Sequence, residues 1–340
     1  MTSRMLEETR EAPLAVARML ASDAEAYAAF GAELRDNPPA SMLTIARGSS
    51  DHAAAYTAYL IMARLGQPVT SLPMSLVTLH QAHLRCDGVV SFGFSQSGQS
   101  PDLVAPTEYL AKGGARTVAF VNQQDSPLAH AARWVFGLHA GAEKSVAATK
   151  SYITQLVAGA RVVAAWQNDT ALQRAIEHLP VALDAAARQD WSAGAEALRD
   201  VDKLFVIGRG SGLAIAMEAA LKFKEVCGIQ AEAFSAAEVQ HGPMAIIGEG
   251  YPMLVFAPRG PAQEGLLKLA ADMRARGARV LLAAPAGTPG TDLPLVTTES
   301  EDLDPIAAIQ SFYPMAEALA RARGMDPDMP PHLSKVTRTH

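Results

Sequence analysis

Residues 44–50 read T-I-A-R-G-S-S, and residues 206–212 read V-I-G-R-G-S-G, so one glycine-containing turn occurs twice in the chain. Self-similarity at a fixed spacing indicates a repeated structural unit. The same shift aligns three further pairs, namely Gly66 with Gly228, Phe94 with Phe256, and Gly98 with Gly260. The sequence therefore predicts two copies of one fold.

Short continuous apolar runs recur in both copies, and each is separated from the next by a helical pattern. The main runs are Met42–Ala46, Val89–Phe94 and Thr117–Val121 in the first half, and Leu204–Ile207, Met253–Phe256 and Val280–Ala284 in the second. Such runs are typical of parallel strands that are buried on both faces. We predict an α/β protein with two tandem, doubly wound domains, residues 1–165 and 166–340, each with a central parallel sheet flanked by helices. An Ala-rich helical stretch from Thr149 to about Leu198 is expected to join the two sets of strands.

Composition excludes several classes of function. The chain has 340 residues and a formal net charge of −6, and it contains no Lys/Arg-rich block, which argues against a nucleic-acid partner. Its first residues are charged and lack the apolar core of a secretory signal, and no stretch is long enough to span a membrane. We therefore expect a cytoplasmic protein.

Cofactor and metal sites are also not expected. The two cysteines, Cys86 and Cys227, lie in unrelated contexts and form no thiolate site. His80 and His83 lack a third ligand at a useful spacing, and we interpret them as part of a helix surface. We expect neither a metal nor a cofactor.

A cluster of small donors follows one apolar run. Residues 92–100 read F-G-F-S-Q-S-G-Q-S, and Pro101 comes next. One interpretation is a turn with helix-capping serines, and the other is a phosphate cradle at a helix N-terminus. The second copy has A-P-R-G at 257–260 in place of S-Q-S-G at 95–98, so only one copy keeps the hydroxyls. This asymmetry favours a single anion site in the first half.

The opposite asymmetry occurs in the helix after the first turn. The second half carries Lys222, Lys224 and Glu225 where the first half has apolar residues. Lys222 and Glu225 are three residues apart and share a helix face. Spacing alone favours a surface ion pair, but the corresponding face of the first half is apolar and is expected to pack.

Five ordered motifs together resemble the isomerase half of glutamine–fructose-6-phosphate aminotransferase, a pair of sugar-isomerase (SIS) domains. They are S-Q-S-G-Q-S (95–100), E-K-S-V-A-A-T-K-S-Y-I-T-Q (143–155), G-R-G-S-G-L-A-I-A-M-E-A-A-L-K-F-K-E-V (208–226), A-E-A-F-S-A-A-E-V-Q-H-G-P (231–243) and H-L-S-K-V-T (332–337). The opening M-L-E-E-T-R-E-A-P (5–13) is similar to the start of that half. The resemblance covers essentially the whole chain.

The resemblance implies a set of substrate-binding residues. The family's phosphate loop corresponds to Ser95, Gln96, Ser97 and Ser100, with Ser50 contributing from the first turn. The segment that contacts the sugar corresponds to Val146 and Ala148. The family often has Ser at the second of these positions, so a side-chain contact is absent here.

The catalytic positions implied by the resemblance are Lys222, Glu225, His241 and Lys335. Glu225 would carry a proton between C1 and C2 of the sugar as a general base and then acid. His241 would open the sugar ring, Lys335 would bring an amine near C2, and Lys222 would orient the charge around Glu225.

These residues together predict an enzyme that acts on a sugar 6-phosphate. The chain shows no glutaminase part, so the sequence favours the direction that releases ammonia, from glucosamine 6-phosphate to fructose 6-phosphate, as in SIS-type glucosamine-6-phosphate deaminases. Alternatives are an ammonia-dependent fructose-6-phosphate aminotransferase, a fructosamine-6-phosphate deglycase, or a non-catalytic sugar-phosphate sensor. The resemblance also implies a homodimer in which His241 serves the neighbouring subunit.

Overall fold

The computed structural model describes residues 2–335 of the chain. The first half begins with helices α1 (Arg4–Leu20) and α2 (Ala24–Asp36). It continues with β1 (Ser41–Ile45), α3 (Gly48–Leu65), β2 (Val69–Ser71), α4 (Ser75–Thr78), β3 (Val89–Ser95), α5 (Pro101–Lys112), β4 (Arg116–Val121), α6 (Pro127–Ala131) and β5 (Trp134–Gly137).

Four helices connect the two halves, so the predicted helical stretch is interrupted three times. They are α7 (Lys150–Gln167), α8 (Thr170–Glu177), α9 (Leu179–Ala187) and α10 (Ser192–Leu198). The second half then comprises β6 (Lys203–Gly208), α11 (Gly212–Cys227), β7 (Gln230–Ser235), β8 (Pro252–Phe256), α12 (Gln263–Ala275), β9 (Arg279–Pro285), β10 (Leu293–Leu295) and α13 (Asp304–Ala322). Short 3₁₀ turns occupy Glu238–Gln240, Pro243–Ile246 and Glu301–Leu303.

Within the described residues, each half forms a parallel five-stranded sheet. The strand orders are β2-β1-β3-β4-β5 and β10-β9-β8-β6-β7, which are the same topology read in opposite directions. All strand pairs are parallel. The predicted class, two tandem doubly wound α/β domains, is confirmed. In each sheet the strand order reverses beside the first strand, between β1 and β3 and between β6 and β8, which is where doubly wound folds bind ligands.

The chain divides into two compact units. Of the described residues, the first contains Leu14–Glu143, Lys150–Glu177, Ser334 and Lys335, and the second contains residues 2–13, Lys144–Thr149 and His178–Leu333. The boundary between residues 165 and 166 stays a prediction of the sequence.

The repeated glycines have the same local function in both copies. Gly66 ends α3 and Gly228 ends α11, and both have left-handed backbone angles, with φ of 65° and 63°. A residue with a side chain is strained in this conformation, so glycine is the favoured helix end. The aligned glycines of the sequence are therefore matching helix ends.

Phenylalanines on adjacent strands form the centre of the first core. Phe94 lies opposite Phe120, and Phe120 lies opposite Phe136, in the register of β3, β4 and β5. The ring centroids are 4.5 Å and 5.5 Å apart, and Phe30 of α2 packs against Phe136. This buried row fixes the strand ends that carry the candidate site.

The structure places His80 and His83 outside any helix. Helix α4 ends at Thr78, so His80 and His83 lie in the coil that follows it. Their interpretation as a helix surface was wrong, because the preceding segment S-L-V-T forms a single helical turn only.

Among residues 2–335, no helix has both the length and the apolar character needed to cross a bilayer.

Candidate functional site

The loop after β3 lies at the reversal of strand order in the first sheet. It runs from Ser95, the last residue of the strand, to Ser100, which precedes α5. Gly98 has φ of +63°, and a Cβ there would lie 2.2 Å from the Ser126 Oγ atom. Only glycine fits this turn, which directs the chain from the strand into the helix. The loop therefore ends at a helix N-terminus, where backbone N–H groups lack intrahelical partners.

The serine hydroxyls of this loop differ in what they bind. The Ser95 Oγ accepts a hydrogen bond from Gly98 N–H (2.9 Å), and the Ser97 Oγ accepts one from Gln99 N–H (3.3 Å). Both hydroxyls thereby support the turn, and each still has a proton to donate. Ser100 occupies the N-cap position of α5, yet its side chain makes no capping hydrogen bond. The helix-capping interpretation is therefore wrong for Ser100, whereas turn support holds for the other two serines.

Two groups from neighbouring elements face the same end of the sheet. Ser50, in the first turn of α3, accepts a hydrogen bond from the Gln155 side-chain amide of α7 at 3.0 Å. The Gln155 amide oxygen is buried and has no hydrogen-bond partner in the described part of the chain. Arg47, the residue directly before α3, binds Asp102 of α5 through its Nε atom at 3.0 Å, and its side chain remains 60% exposed. This end of the first sheet thus carries serine hydroxyls, the unpaired amide oxygen of Gln155 and the exposed guanidinium of Arg47.

The corresponding loop of the second sheet has its own internal counter-ion. Arg259 binds both carboxylate oxygens of Asp304, at 2.7 and 2.9 Å, and donates to the Thr298 carbonyl. Gly260 keeps a positive φ of +117°, so the turn is retained. The second loop therefore carries a bidentate ion pair where the first loop has hydroxyls.

Helix α11 of the second unit holds a buried charge cluster. The Lys222 Nζ atom lies 2.5 Å from the Glu225 Oε2 atom and 3.3 Å from the Glu218 Oε1 atom. The side chains of Lys222 and Glu218 are 1% and 0% exposed, while that of Glu225 is 20% exposed. The alternative of a surface ion pair is therefore wrong. The cluster forms inside the unit because α11 packs against α13, whose Tyr313 hydroxyl donates to Glu218 at 3.4 Å.

This arrangement leaves one carboxylate accessible. Burial lowers the pKa of the Lys222 ammonium, but the Glu218 and Glu225 carboxylates outweigh it and raise that pKa above its ordinary value. Lys222 is thus a permanent cation between two carboxylates. Glu218 is fully buried, so Glu225 is the member of the cluster that a substrate can reach.

The segment with Val146 and Ala148 is held by the N-terminal helix. The Glu8 carboxylate of α1 accepts hydrogen bonds from the backbone N–H groups of Lys144 (2.5 Å) and Ser145 (3.2 Å). Val146 N–H donates to the Asp328 carbonyl at 3.4 Å. Val146 and Ala148 themselves are half-buried. Their side chains are therefore partly accessible on a segment whose backbone is fixed.

Lys335 is placed by a buried carboxylate of the first unit. Its Nζ atom lies 3.0 Å from the Glu143 Oε2 atom, and the Glu143 side chain is 0% exposed. The remainder of the tail motif, residues 336 and 337, lies outside the described residues.

His241 is exposed and follows the short 3₁₀ turn after β7. Its ring has no hydrogen-bond or ion-pair partner within residues 2–335. The structure thus brings Lys222 and Glu225 together and leaves His241 open to solvent.

Sequence reasoning did not single out four residues of this arrangement: Glu8, Glu143, Gln155 and Glu218. All four lie inside motifs that carried the resemblance, but only Glu218 had a local signal, since it stands four residues before Lys222 and therefore faces it. The others acquire their partners through tertiary folding, which spacing in the sequence does not reveal.

The model of the SIS domain matches residues 37–165 and 197–284, well over half of the chain. The chain belongs to the SIS family. Among solved SIS structures, a proposed phosphosugar isomerase from Silicibacter pomeroyi is 43% identical, covers 96% of this chain and all of its own (100%), and superposes with a TM-score of 0.91. The glucosamine-6-phosphate deaminase of Thermotoga maritima shares the fold, with 21% identity, coverage of 99% and 100% of the two chains, and a TM-score of 0.78.

The curated relatives are longer than this SIS protein. The glutamine–fructose-6-phosphate aminotransferase (isomerizing) of Symbiobacterium thermophilum is 34% identical over 312 residues, which is 86% of this chain and 50% of that enzyme. The chain thus spans about half the length of the curated relatives it matches. The resemblance to the isomerase half of this aminotransferase is confirmed.

Proposed function

We propose that this SIS protein is an enzyme that converts glucosamine 6-phosphate into fructose 6-phosphate and ammonia. The observation that carries the proposal is the charge cluster of α11, in which buried Lys222 holds the accessible carboxylate of Glu225. A carboxylate positioned in this way can accept a proton from a carbon atom that is adjacent to a carbonyl. Isomerisation of a sugar phosphate requires this proton transfer.

The hydroxyl loop supports a phosphorylated substrate. Ser95, Gln96, Ser97 and Ser100 precede a helix N-terminus at the reversal of strand order, and Ser50 lies in the turn after the neighbouring strand. Hydrogen bonds to a charged acceptor contribute about 1.5–3 kcal/mol each. A phosphate bound here would be recognised by several such donors, and Val146 and Ala148 are proposed to contact the sugar.

Besides Glu225, the proposed reaction uses water, the Lys335 amine and His241. In the open-chain aldehyde, Glu225 removes the proton from C2 and returns it to C1, while the aldehyde oxygen gains a proton and the amine loses one, which leaves a hydroxyl at C1 and an imine at C2. Water, or first the Lys335 amine, then adds to C2, and ammonia leaves as the carbonyl forms. The exposed His241 is proposed to open the ring of a sugar bound by the adjacent subunit of a homodimer.

The direction that yields ammonia is proposed because it needs no amide donor. Burial raises the pKa of the Cys86 thiol and raises that of Cys227 to about 12, so neither thiol is favoured as a thiolate nucleophile. A cytoplasmic location remains the prediction of the sequence.

A panel of substrates tests the proposal. The purified protein is incubated with glucosamine 6-phosphate, with fructose 6-phosphate plus ammonium, with a fructosamine 6-phosphate and with glucose 6-phosphate, and ammonia and ketose are measured in each reaction. Rapid release of ammonia from the first substrate is expected. Turnover of only the second or third would instead identify an aminotransferase or a deglycase, and binding without any turnover would indicate a sensor.

A further inference from the structure

The Glu143 carboxylate is buried at the N-terminus of α7. It accepts hydrogen bonds from the Ser151 N–H group at 3.1 Å and from the Ser151 hydroxyl at 2.6 Å. Ser151 is the second residue of α7, so the positive end of the helix dipole faces the carboxylate. These contacts supply hydrogen-bond donors to a carboxylate that is buried away from water.

The same carboxylate is the partner of Lys335. The Lys335 Nζ atom lies 3.0 Å from the Glu143 Oε2 atom, and the lysine side chain is 24% exposed. Residues 323–335 contain no helix or strand, so no regular secondary structure fixes the position of this amine. A buried, oriented carboxylate is a fixed point that a tail lysine can contact.

We propose that Glu143 is the positioning residue for Lys335: it fixes the tail amine beside the N-terminus of α7, from where the amine reaches the bound substrate. The proposal deepens the proposed function, because it assigns the residue that delivers the amine to C2. It concerns a residue of the first unit that touches Lys335 and not the reacting atoms. Glu143 is therefore distinct in role from Glu225.

Chemical acylation of lysine measures this contact without any substrate. An amine held against a buried carboxylate is less accessible to a reagent than a solvent-exposed amine, so Lys335 should react more slowly with an N-hydroxysuccinimide ester than the exposed Lys112 and Lys268 of the same sample. Glu143→Gln retains an acceptor for Ser151 but removes the charge, and it should accelerate acylation of Lys335 relative to these internal references. Peptide mass spectrometry measures all three rates.

A matched variant controls for general effects of charge. Lys112 forms an exposed pair with Glu108, with side chains 81% and 50% exposed. Glu108→Gln should therefore change the acylation of Lys112 very little, because exposed pairs are weak. If Lys335 in the wild type reacts as fast as Lys112, the positioning role is excluded, and this comparison does not depend on the folding of a variant.

Kinetics with glucosamine 6-phosphate provide the second readout. Displacement of the Lys335 amine should slow the chemical step more than it weakens substrate binding. Glu143→Gln should therefore lower kcat by ~10-fold to ~10²-fold with little change in KM. Protection of Lys335 without any turnover by the wild type would uphold the contact and reject the proposed function. Unchanged kcat together with unchanged acylation of Lys335 in Glu143→Gln would overturn the inference.

Discussion

At the scale of single residues, the two loops at the reversals of strand order show how one turn can serve two purposes. Ser97 and Ser100 of the first loop have hydroxyl protons available for an anion, whereas Arg259 of the second loop is occupied by Asp304. The backbone turn is common to both, since Gly98 and Gly260 each have positive φ. The two loops therefore share a backbone turn and differ in the polar groups that they carry.

Removal of the two hydroxyls should weaken binding of the phosphate. Ser97→Ala combined with Ser100→Ala should raise KM for glucosamine 6-phosphate by at least ~10-fold, since each charge-assisted bond contributes about 1.5–3 kcal/mol. Steady-state kinetics check this expectation. Arg259→Ala should leave KM nearly unchanged and lower stability instead, because it leaves the buried Asp304 without its ion pair. An unchanged KM in the double serine variant would remove the phosphate role.

At the scale of elements, the sequence predicts the central strands well but misses one edge strand of each sheet. Continuous apolar runs such as those of β3 and β8 indicate strands buried on both faces, and both are fully buried. The edge strands β5 and β10 were not predicted as separate strands, because they are only four and three residues long. Their pairing depends on neighbours that only the folded sheet provides.

The turn after β3 gives a prediction at this scale. Gly98→Ala should destabilise the protein more than Gly66→Ala, although both glycines have similar positive φ values of +63° and +65°. Left-handed backbone costs about 1–2 kcal/mol for a residue with a side chain. A Cβ at Gly66 meets nothing within 4 Å, whereas one at Gly98 meets the Ser126 side chain, which caps α6. Urea unfolding measures the free energy of unfolding of both variants. An equal loss in the two would show that the close approach to Ser126 does not affect stability.

At the scale of the whole molecule, burial of thiols links stability to pH. Burial raises the pKa of the Cys227 thiol to about 12, against the opposing charge of Arg323. A raised pKa in the folded state contributes stability that is complete below the unfolded pKa of about 8.5 and is lost as pH rises towards the folded value. The free energy of unfolding should therefore fall between pH 8.5 and 12, by up to about 1.4 kcal/mol per pH unit from this group.

Urea unfolding at a series of pH values checks this expectation. Cys227→Ala removes the ionising group, so its free energy of unfolding should fall less steeply with pH than that of the wild type. Parallel pH dependences of the two proteins would contradict the assignment of the effect to Cys227.

The proposed homodimer provides a second prediction for the whole molecule. If His241 serves the site of the neighbouring subunit, mixing inactive His241→Ala with inactive Glu225→Gln should restore part of the activity in heterodimers, because one of the two sites regains both groups. Subunit exchange is verified by native mass spectrometry of the mixture. Exchange without any recovered activity would place His241 and Glu225 in the same subunit's site.

The residues of the candidate site that the resemblance implies could be predicted from the sequence. The residues that hold them through tertiary contacts could not. Lys222 and Glu225 were predicted together, and the Lys222 Nζ atom lies 2.5 Å from the Glu225 Oε2 atom. Glu8 and Glu143 were not predicted, since their partners stand 136 and 192 residues away along the chain. Contacts of this kind depend on the fold and leave no periodic signal.

The central claim is that Glu225 carries the proton in a reaction that releases ammonia from glucosamine 6-phosphate. The most direct measurement counts ammonia and fructose 6-phosphate formed from this substrate by the wild type and by Glu225→Gln, with the exposed Glu264→Gln of α12 as a matched carboxylate control. We predict one ammonia for each fructose 6-phosphate in the wild type and in the control, and a loss of at least ~10²-fold in Glu225→Gln with substrate binding retained. Near-normal turnover in Glu225→Gln, or isomerisation of glucose 6-phosphate with no ammonia from glucosamine 6-phosphate, would contradict the claim.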